Sequence, residues 1–118
     1  MQIAIKRIYD PVASTDGQRI LVDRLWPRGI SKEKAQLDSW LKEVAPSTEL
    51  RKAFCHQIEH WQAFQEGYYQ ELAENTHVDE LRQIAQHQQL TLLYAAKDPE
   101  LNHALVLKNY LLGKVSKL

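Results

Sequence analysis

The chain has 118 residues, the size of one ordinary domain, and we expect residues 1–118 to fold as one. Its 15 basic and 15 acidic side chains cancel, which argues against a protein that works mainly by gripping nucleic-acid backbone. A single cysteine, Cys55, excludes an internal disulfide and fits a reducing compartment. No signal-like start and no apolar run near the roughly 20 residues of a membrane helix are present, so we expect a cytoplasmic protein without a membrane segment.

The first quarter of the chain predicts two strands. Residues 3–9 are rich in β-branched side chains and end at Asp10-Pro11. A turn at Asp16-Gly17 precedes a second apolar stretch over residues 19–23. The two strands are close enough in sequence to pair as a hairpin.

The middle of the chain predicts a short helix, a third strand and a longer helical region. Ser31 is placed to cap the short helix, and residues 41–45 read as a strand that Pro46 stops. Ser47 then caps a helix whose apolar positions, from residue 50 to residue 72, follow the helical repeat. The pattern over residues 48–74 is compatible with one long helix or with two.

The last third predicts a helix, a buried strand and a final helix. Thr76 with Asp79 resembles a capping box before an amphipathic helix that ends near His87. Residues 90–96 form an apolar run typical of a strand buried on both faces. Asp98 is predicted to cap the last helix, with Pro99 at its first position. Its buried face would carry Ala104, Leu107, Leu111, Val115 and Leu118.

Strands that alternate with helices predict an α/β fold. We expect a single three-layer-like domain in which helices pack on a small, mostly parallel sheet, mixed if the first two strands form a hairpin. Ligands of such folds bind at the carboxyl ends of the strands. That rule brings two distant segments, residues 23–29 and residues 97–103, to one cleft.

The segment over residues 23–29 combines two arginines, a tryptophan and a proline. An arginine offers a planar fork of donors that matches carboxylate or phosphate oxygens, and an indole can stack on a ring. The pattern predicts a site for a small anionic ligand, formed by Arg24, Trp26, Arg28, Lys97, Asp98 and Asn102. An equally weighted alternative is a structural network in which the arginines pair with carboxylates and Trp26 lies in the core. No reaction, cofactor or oligomeric state follows from these residues.

Two further readings compete with the anion site. His103 is a weak candidate for proton transfer, since a lone histidine is usually structural. The basic stretch from Arg19 to Lys34 would suit a non-catalytic module that binds nucleic acid or a protein, although overall neutrality makes nucleic acid the less favoured partner. His56 and His60 are spaced as zinc ligands on a helix, but no third ligand is signalled, and we predict no metal.

The motifs together resemble the YeaO-like family of small bacterial proteins, a domain-of-unknown-function family. The resemblance covers nearly the whole chain in order, through residues 23–29, 43–47, 50–54, 56–68, 93–98 and 102–104. It implies a compact α/β fold in a cytoplasmic bacterial protein. It implies no chemistry, because the family has no established activity.

Overall fold

The computed structural model of the protein describes residues 1–55 and 57–114. Four strands form one sheet in the order β1-β4-β2-β3, and every neighbouring pair is parallel. The strands are β1 (Ile3–Arg7), β2 (Gln18–Leu21), β3 (Ser39–Trp40) and β4 (Leu90–Tyr94). The helices are α1 (Lys32–Ala35), α2 (Thr48–Phe54), α3 (Trp61–Ala73), α4 (His77–His87) and α5 (His103–Leu111). Strands and helices packed on one another confirm the predicted α/β class.

Strand β4 lies inside the sheet, and its sequence explains that position. All five of its residues are buried, as expected for a strand covered on both faces. Leu90, Leu92 and Tyr94 belong to the larger core, whereas Leu93 belongs to a smaller core on the opposite face. This alternation follows the two-residue repeat of a strand.

The larger core lies between the sheet and the helices α2 to α5. Helix α3 contributes Phe64, Tyr68 and Leu72, which are four residues apart and therefore share one face. Helix α5 contributes Ala104, Leu107 and Leu111 in agreement with the predicted buried face, while Val115 and Leu118 lie outside the described residues. Within the described part of the chain, no helix is both long enough and apolar enough to cross a membrane.

A thinner layer covers the other face of the sheet. Its apolar part surrounds Leu21 and Leu93 and includes Trp26, Ile30 and Trp40. Its polar part is the Asp16 cluster, which consists of Lys6, Asp16 and Arg19. The carboxylate of Asp16 accepts from both cations, and Arg19 also donates to the carbonyls of Ala35 and Gln36 at the end of α1.

One open alternative for the sheet does not occur, and one strand prediction was wrong. The first two strands do not form a hairpin, because β4 lies between them and is parallel to both, so the sheet is not mixed. The third strand is Ser39–Trp40 and not residues 41–45, since Lys42–Val44 form a turn of 3₁₀ helix. Gly17, with a φ of 66°, sits where any side chain would overlap the backbone of Gln89, and it guides the chain from β1 into β2.

The helical region of residues 48–74 is two helices. Helix α2 ends where Cys55 adopts left-handed backbone geometry (φ 48°), and a 3₁₀ turn over Ile58–His60 leads into α3. The apolar repeat continues through this break, but Ile58 is 68% exposed, so its place in the repeat does not reflect burial. Periodicity alone therefore misses the break.

Two caps follow the prediction and two do not. Ser31 and Ser47 each accept from the amide three residues on, as predicted. Thr76 makes no capping hydrogen bond with its side chain, and the side chain of Asn75 accepts from the amide of His77 instead. Asp98 does not cap the last helix. It accepts from the amides of Glu100 and Leu101 in a separate turn, and Asn102 caps α5 by accepting from the amide of Leu105.

Candidate functional site

A cleft lies at the carboxyl edge of the sheet, where β2 and β4 end. It consists of two adjoining cavities of about 270 Å³ each, which share the lining residues Pro46, Arg51, Ala96 and His103. The inner cavity is additionally lined by Asp23, Arg24, Leu25, Ala45 and Ala95. The outer cavity is additionally lined by Thr48, Lys52, Phe54, Phe64, Leu101 and Asn102.

One wall of the cleft, the segment of residues 43–47, is fixed by three side chains, two of them from α3. The Tyr68 hydroxyl donates to the Val44 carbonyl, and Arg24 Nη2 donates to the carbonyls of Ala45 and Pro46 at 3.2 Å each. The amide of Ser47 donates to Glu71 at 2.9 Å. These bonds hold the wall without any ligand, so a molecule that enters meets a preformed surface.

Tyr68 remains a hydrogen-bond donor over the physiological pH range. Complete burial raises its pKa well above the ordinary value of 10.0, and the carboxylates of Glu71 and Asp23 add to that rise. The guanidinium of Arg24 acts in the opposite direction. The neutral hydroxyl therefore keeps its proton for the Val44 carbonyl.

The floor of the cleft is formed by Asp23 and His103. Asp23 Oδ2 accepts from the amide of Ala95 at 3.0 Å, which ties the end of β2 to the end of β4. His103 Nε2 lies 3.0 Å from the Val22 carbonyl and 3.2 Å from Asp23 Oδ1. Because a carbonyl can only accept, Nε2 carries the proton and donates it to Val22. The shorter, better-directed contact is thus the one to Val22, and the approach to Asp23 is an ion pair only when the ring is protonated.

Two polar atoms at this floor are buried without a hydrogen bond among the described residues, namely Asp23 Oδ1 and Arg24 Nε. Buried groups of this kind are uncommon in folded proteins and are often explained by a bound water or ligand. Both belong to residues that line the inner cavity.

The cleft brings together some of the residues predicted from the sequence. Arg24, Asn102 and His103 line it, and they come from the two distant segments that the carboxyl-edge rule joined. The amide group of Asn102 is already engaged, since it accepts from Leu105 and donates to the Asp98 carbonyl.

The other predicted ligand residues do not line these two cavities. Trp26 packs edge-on against Trp40 on the opposite face of the sheet and donates to the Ile30 carbonyl at 2.9 Å. The Trp26–Pro27 bond is trans. Arg28 is exposed, and its backbone carbonyl accepts a hydrogen bond from the Tyr9 hydroxyl. Lys97 and Asp98 are exposed in the turn before α5. The chain leaves the carboxyl edge immediately after Leu25.

Sequence reasoning missed the cations of helix α2. Arg51 and Lys52 line the cleft, and Phe54 follows Arg51 by about one helical turn. A signal was available, because α2 follows β3 and the segments that follow parallel strands all leave from one edge of the sheet. A third strand predicted over residues 41–45 hides this signal, because the segment that leaves the carboxyl edge then starts after residue 45 instead of after Trp40.

The basic stretch from Arg19 to Lys34 is less uniform than its sequence suggests. Arg19 is buried in the Asp16 cluster, and Arg24 is bonded to the wall of the cleft. Arg28, Lys32 and Lys34 remain exposed.

The histidine pair predicted not to bind metal is only partly visible, because His56 lies outside the described residues. His60 Nδ1 is 3.3 Å from the Phe54 carbonyl, and Cys55 is exposed. Within residues 1–55 and 57–114 no three acidic, histidine or cysteine side chains are grouped as metal ligands.

Comparison with known proteins identifies relatives along the full length. A family model described as "Inactive DUF488-N3 subclade" matches residues 2–117. The chain is 54% identical over 112 residues to the uncharacterized protein YeaO of Escherichia coli (strain K12), covering 94% of this chain and 97% of that protein. It is 37% identical over 113 residues to uncharacterized proteins of Mycobacterium bovis and Mycobacterium tuberculosis, covering 96% of each chain. No solved structure matches. The chain therefore belongs to the YeaO-like family, in the group described as the inactive DUF488-N3 subclade.

Proposed function

We propose that this protein binds a small phosphate- or carboxylate-bearing anion in the cleft at the carboxyl edge of its sheet. The observation that carries the proposal is the position of Arg51, which lines both adjoining cavities beside Arg24 and Lys52. Guanidinium groups and ammonium groups are the side chains that best match such oxygens. We further propose that it does so in the cytoplasm, in keeping with one free, exposed cysteine.

The charge balance of the cleft supports an anion. Arg24, Arg51 and Lys52 are positive, and Asp23 is the one carboxylate among the described residues that line the two cavities. Arg24 already donates Nη2 to the Ala45 and Pro46 carbonyls, so it would attract an anion mainly through its fixed positive charge. Arg51 and Lys52 are exposed at the rim and are free of such backbone bonds among the described contacts. An entering anion would therefore meet them first.

Binding without turnover is the form of the proposal that the observations favour. The family model that matches the chain is described as inactive. His103, the one weak candidate for proton transfer, already donates its Nε2 proton to the Val22 carbonyl. Nε2 therefore cannot accept a proton from a substrate, and only Nδ1 is left for the role of general base.

The test is thermal stability with and without added anions. Inorganic phosphate and acetate, each titrated into the wild type, are expected to raise the melting temperature, because binding to the folded state stabilises it by RT ln(1 + [L]/Kd). Arg51→Ala is expected to melt like the wild type without ligand, because the side chain is exposed, and to lose most of the anion-dependent rise.

Arg28→Ala is the matched control. It also removes one exposed arginine, but from outside both cavities, and it should keep the full anion response. Equal responses in both variants would refute the cleft as the site. Binding of a nucleic acid that weakens steeply with salt and is lost in Arg28→Ala would instead favour the exposed surface of residues 28–34.

A further inference from the structure

We propose that the ligand of this cleft is a small carboxylic acid with a flat apolar body, such as an aromatic monocarboxylate, rather than a phosphorylated metabolite. The inference rests on the proposed function, because it selects one ligand class for the same cleft. Three features carry it: the apolar outer cavity, the cations at its rim, and the side chains that already occupy backbone amides around the start of α5.

The outer cavity has an apolar wall of the right shape for a ring. Phe54 and Phe64 are stacked with centroids 4.7 Å apart, and both line this cavity. Leu101 and Ala96, from the segment between β4 and α5, line the same cavity. A volume of about 270 Å³ lies at the small end of ligand pockets, so the apolar body is about one ring in size. A bare anion would leave this surface uncovered.

The positive charge lies beside the apolar wall and not beneath it. Arg51 and Lys52 are consecutive residues of α2, and Arg51 lies about one turn before Phe54 on the same short helix. A ligand with its ring against Phe54 and Phe64 would present its head group to these cations. A carboxylate matches one guanidinium by two parallel hydrogen bonds, which is the geometry that a single arginine can supply.

A phosphate dianion would find too few partners here. Phosphate sites usually offer free backbone amides, at a helix start or in a glycine-rich loop. In the turn before α5, Asp98 accepts from the amides of Glu100 and Leu101, and at the start of α5 Asn102 accepts from the amide of Leu105. The sequence contains no glycine-rich phosphate loop.

The inner cavity adds a charge that opposes a dianion. The carboxylate of Asp23 lies at its floor and has one oxygen without a hydrogen bond among the described residues. Each further negative charge on a ligand increases the repulsion from Asp23, whereas a monoanion held at Arg51 avoids most of it.

Isothermal titration calorimetry with matched probes tests the inference. Phenylacetate and phenyl phosphate share a ring and differ in the head group, while acetate and inorganic phosphate lack the ring. Phenylacetate is expected to bind about tenfold or more tightly than each of the other three. Arg51→Ala should weaken phenylacetate by about tenfold or more, as for loss of a charge-assisted pair.

A second variant addresses the apolar wall without disturbing the buried rings. Leu101→Ser changes a half-buried residue of the turn, and it should weaken phenylacetate while leaving acetate binding unchanged. Arg28→Ala should leave every affinity unchanged.

The outcomes separate this inference from the proposed function. Tighter binding of phenyl phosphate or inorganic phosphate, lost in Arg51→Ala, would overturn the carboxylate assignment and leave the anion site standing. Phenylacetate binding that ignores both Arg51→Ala and Leu101→Ser would place the ligand elsewhere and overturn the inference. If none of the four probes binds, both proposals fail.

Discussion

The protein contains two groups of charged residues that look alike in sequence and differ in the fold. The Asp16 cluster is closed, because its carboxylate is 7% exposed and accepts from Lys6, Arg19 and the amide of Ala13. The cleft is open, because Arg51 and Lys52 stand at the rim of a cavity. The Asp16 cluster joins β1 and β2 through the turn before β2, whereas the two exposed cations of the cleft belong to α2.

The difference separates charges that support the fold from charges that are available to a ligand. A buried ion pair with all its partners has nothing left to offer a ligand, and its loss affects stability. An exposed cation beside an apolar cavity adds little to stability and can bind. Variants of the two groups should therefore differ in which measurement they change.

The largest effect is expected for Asp16→Asn. The substitution keeps the shape of the side chain but leaves Arg19, which is 5% exposed at its side chain, without its buried counter-ion. Breaking such a pair from one side costs about 3–5 kcal/mol of the free energy of unfolding. Urea denaturation measures the loss. Glu33→Gln, which neutralises an exposed carboxylate, should change stability by no more than about 0.5 kcal/mol.

The pair character of the cluster can be tested separately. If Asp16 and Arg19 act together, Asp16→Asn combined with Arg19→Met should cost less than the sum of the two single changes, because the second removes the charge that the first left unpaired. Full additivity would mean that the contact between them contributes nothing to stability.

A second expected effect is the dependence of stability on pH. Burial alone would raise the pKa of Asp16, but hydrogen bonds from Lys6, the Ala13 amide and Arg19 outweigh it and lower the pKa below the ordinary 3.8. A lowered pKa in the folded state means that the contribution of Asp16 is complete above that ordinary value and is lost as pH falls through the folded pKa. The stability gap between wild type and Asp16→Asn should thus be constant near neutrality and narrow below about pH 4. A gap that widens on acidification would contradict the assignment.

Much of the fold follows from the sequence because the strands and most helices have strong local patterns. The apolar run at β4 and the serine caps at residues 31 and 47 are each decided by neighbours in sequence. The pairing of β1 with β4 is not decided by neighbours in sequence, since it joins residues almost ninety positions apart, for example Ile3 with Leu90. The short distance in sequence between β1 and β2 would permit a hairpin. The apolar side chains of β4 are buried on both faces of the sheet when β4 lies between β1 and β2, as it does.

The sequence predicts the position of the cleft in the fold better than it predicts which residues line it. The carboxyl-edge rule joined Arg24 to His103 across the chain, and these residues do line one cavity. Trp26 follows Arg24 by two residues, yet it packs on the other face of the sheet because its ring fills the space beside Trp40 and Ile30. Side-chain direction in an irregular segment depends on such tertiary packing, which no local pattern encodes.

A smaller effect on stability is expected for Arg24→Met. The change removes the donors to the Ala45 and Pro46 carbonyls, and it also removes a buried Nε that has no partner among the described residues. The lost hydrogen bonds destabilise the fold and the removal of the unpaired Nε stabilises it. The expected net decrease in the free energy of unfolding is about 1–2 kcal/mol. Urea denaturation measures it, and anion titration of the same variant should show weaker binding. If Arg24→Met were as unstable as Asp16→Asn, Arg24 would support the fold in the same way as the residues of the Asp16 cluster.

The smallest effect is expected for Lys97→Ala, which tests whether position at the edge is sufficient for binding. Lys97 is exposed and follows Ala96, a lining residue of both cavities, but it does not itself line either of them. Its removal should change the free energy of unfolding by no more than about 0.5 kcal/mol. Anion affinity should fall by much less than in Arg51→Ala, because an exposed charge outside the cavity acts only through screened, longer-range attraction. A loss equal to that of Arg51→Ala in a phosphate titration would show that the turn before α5 forms part of the site and that the cleft closes over its ligand.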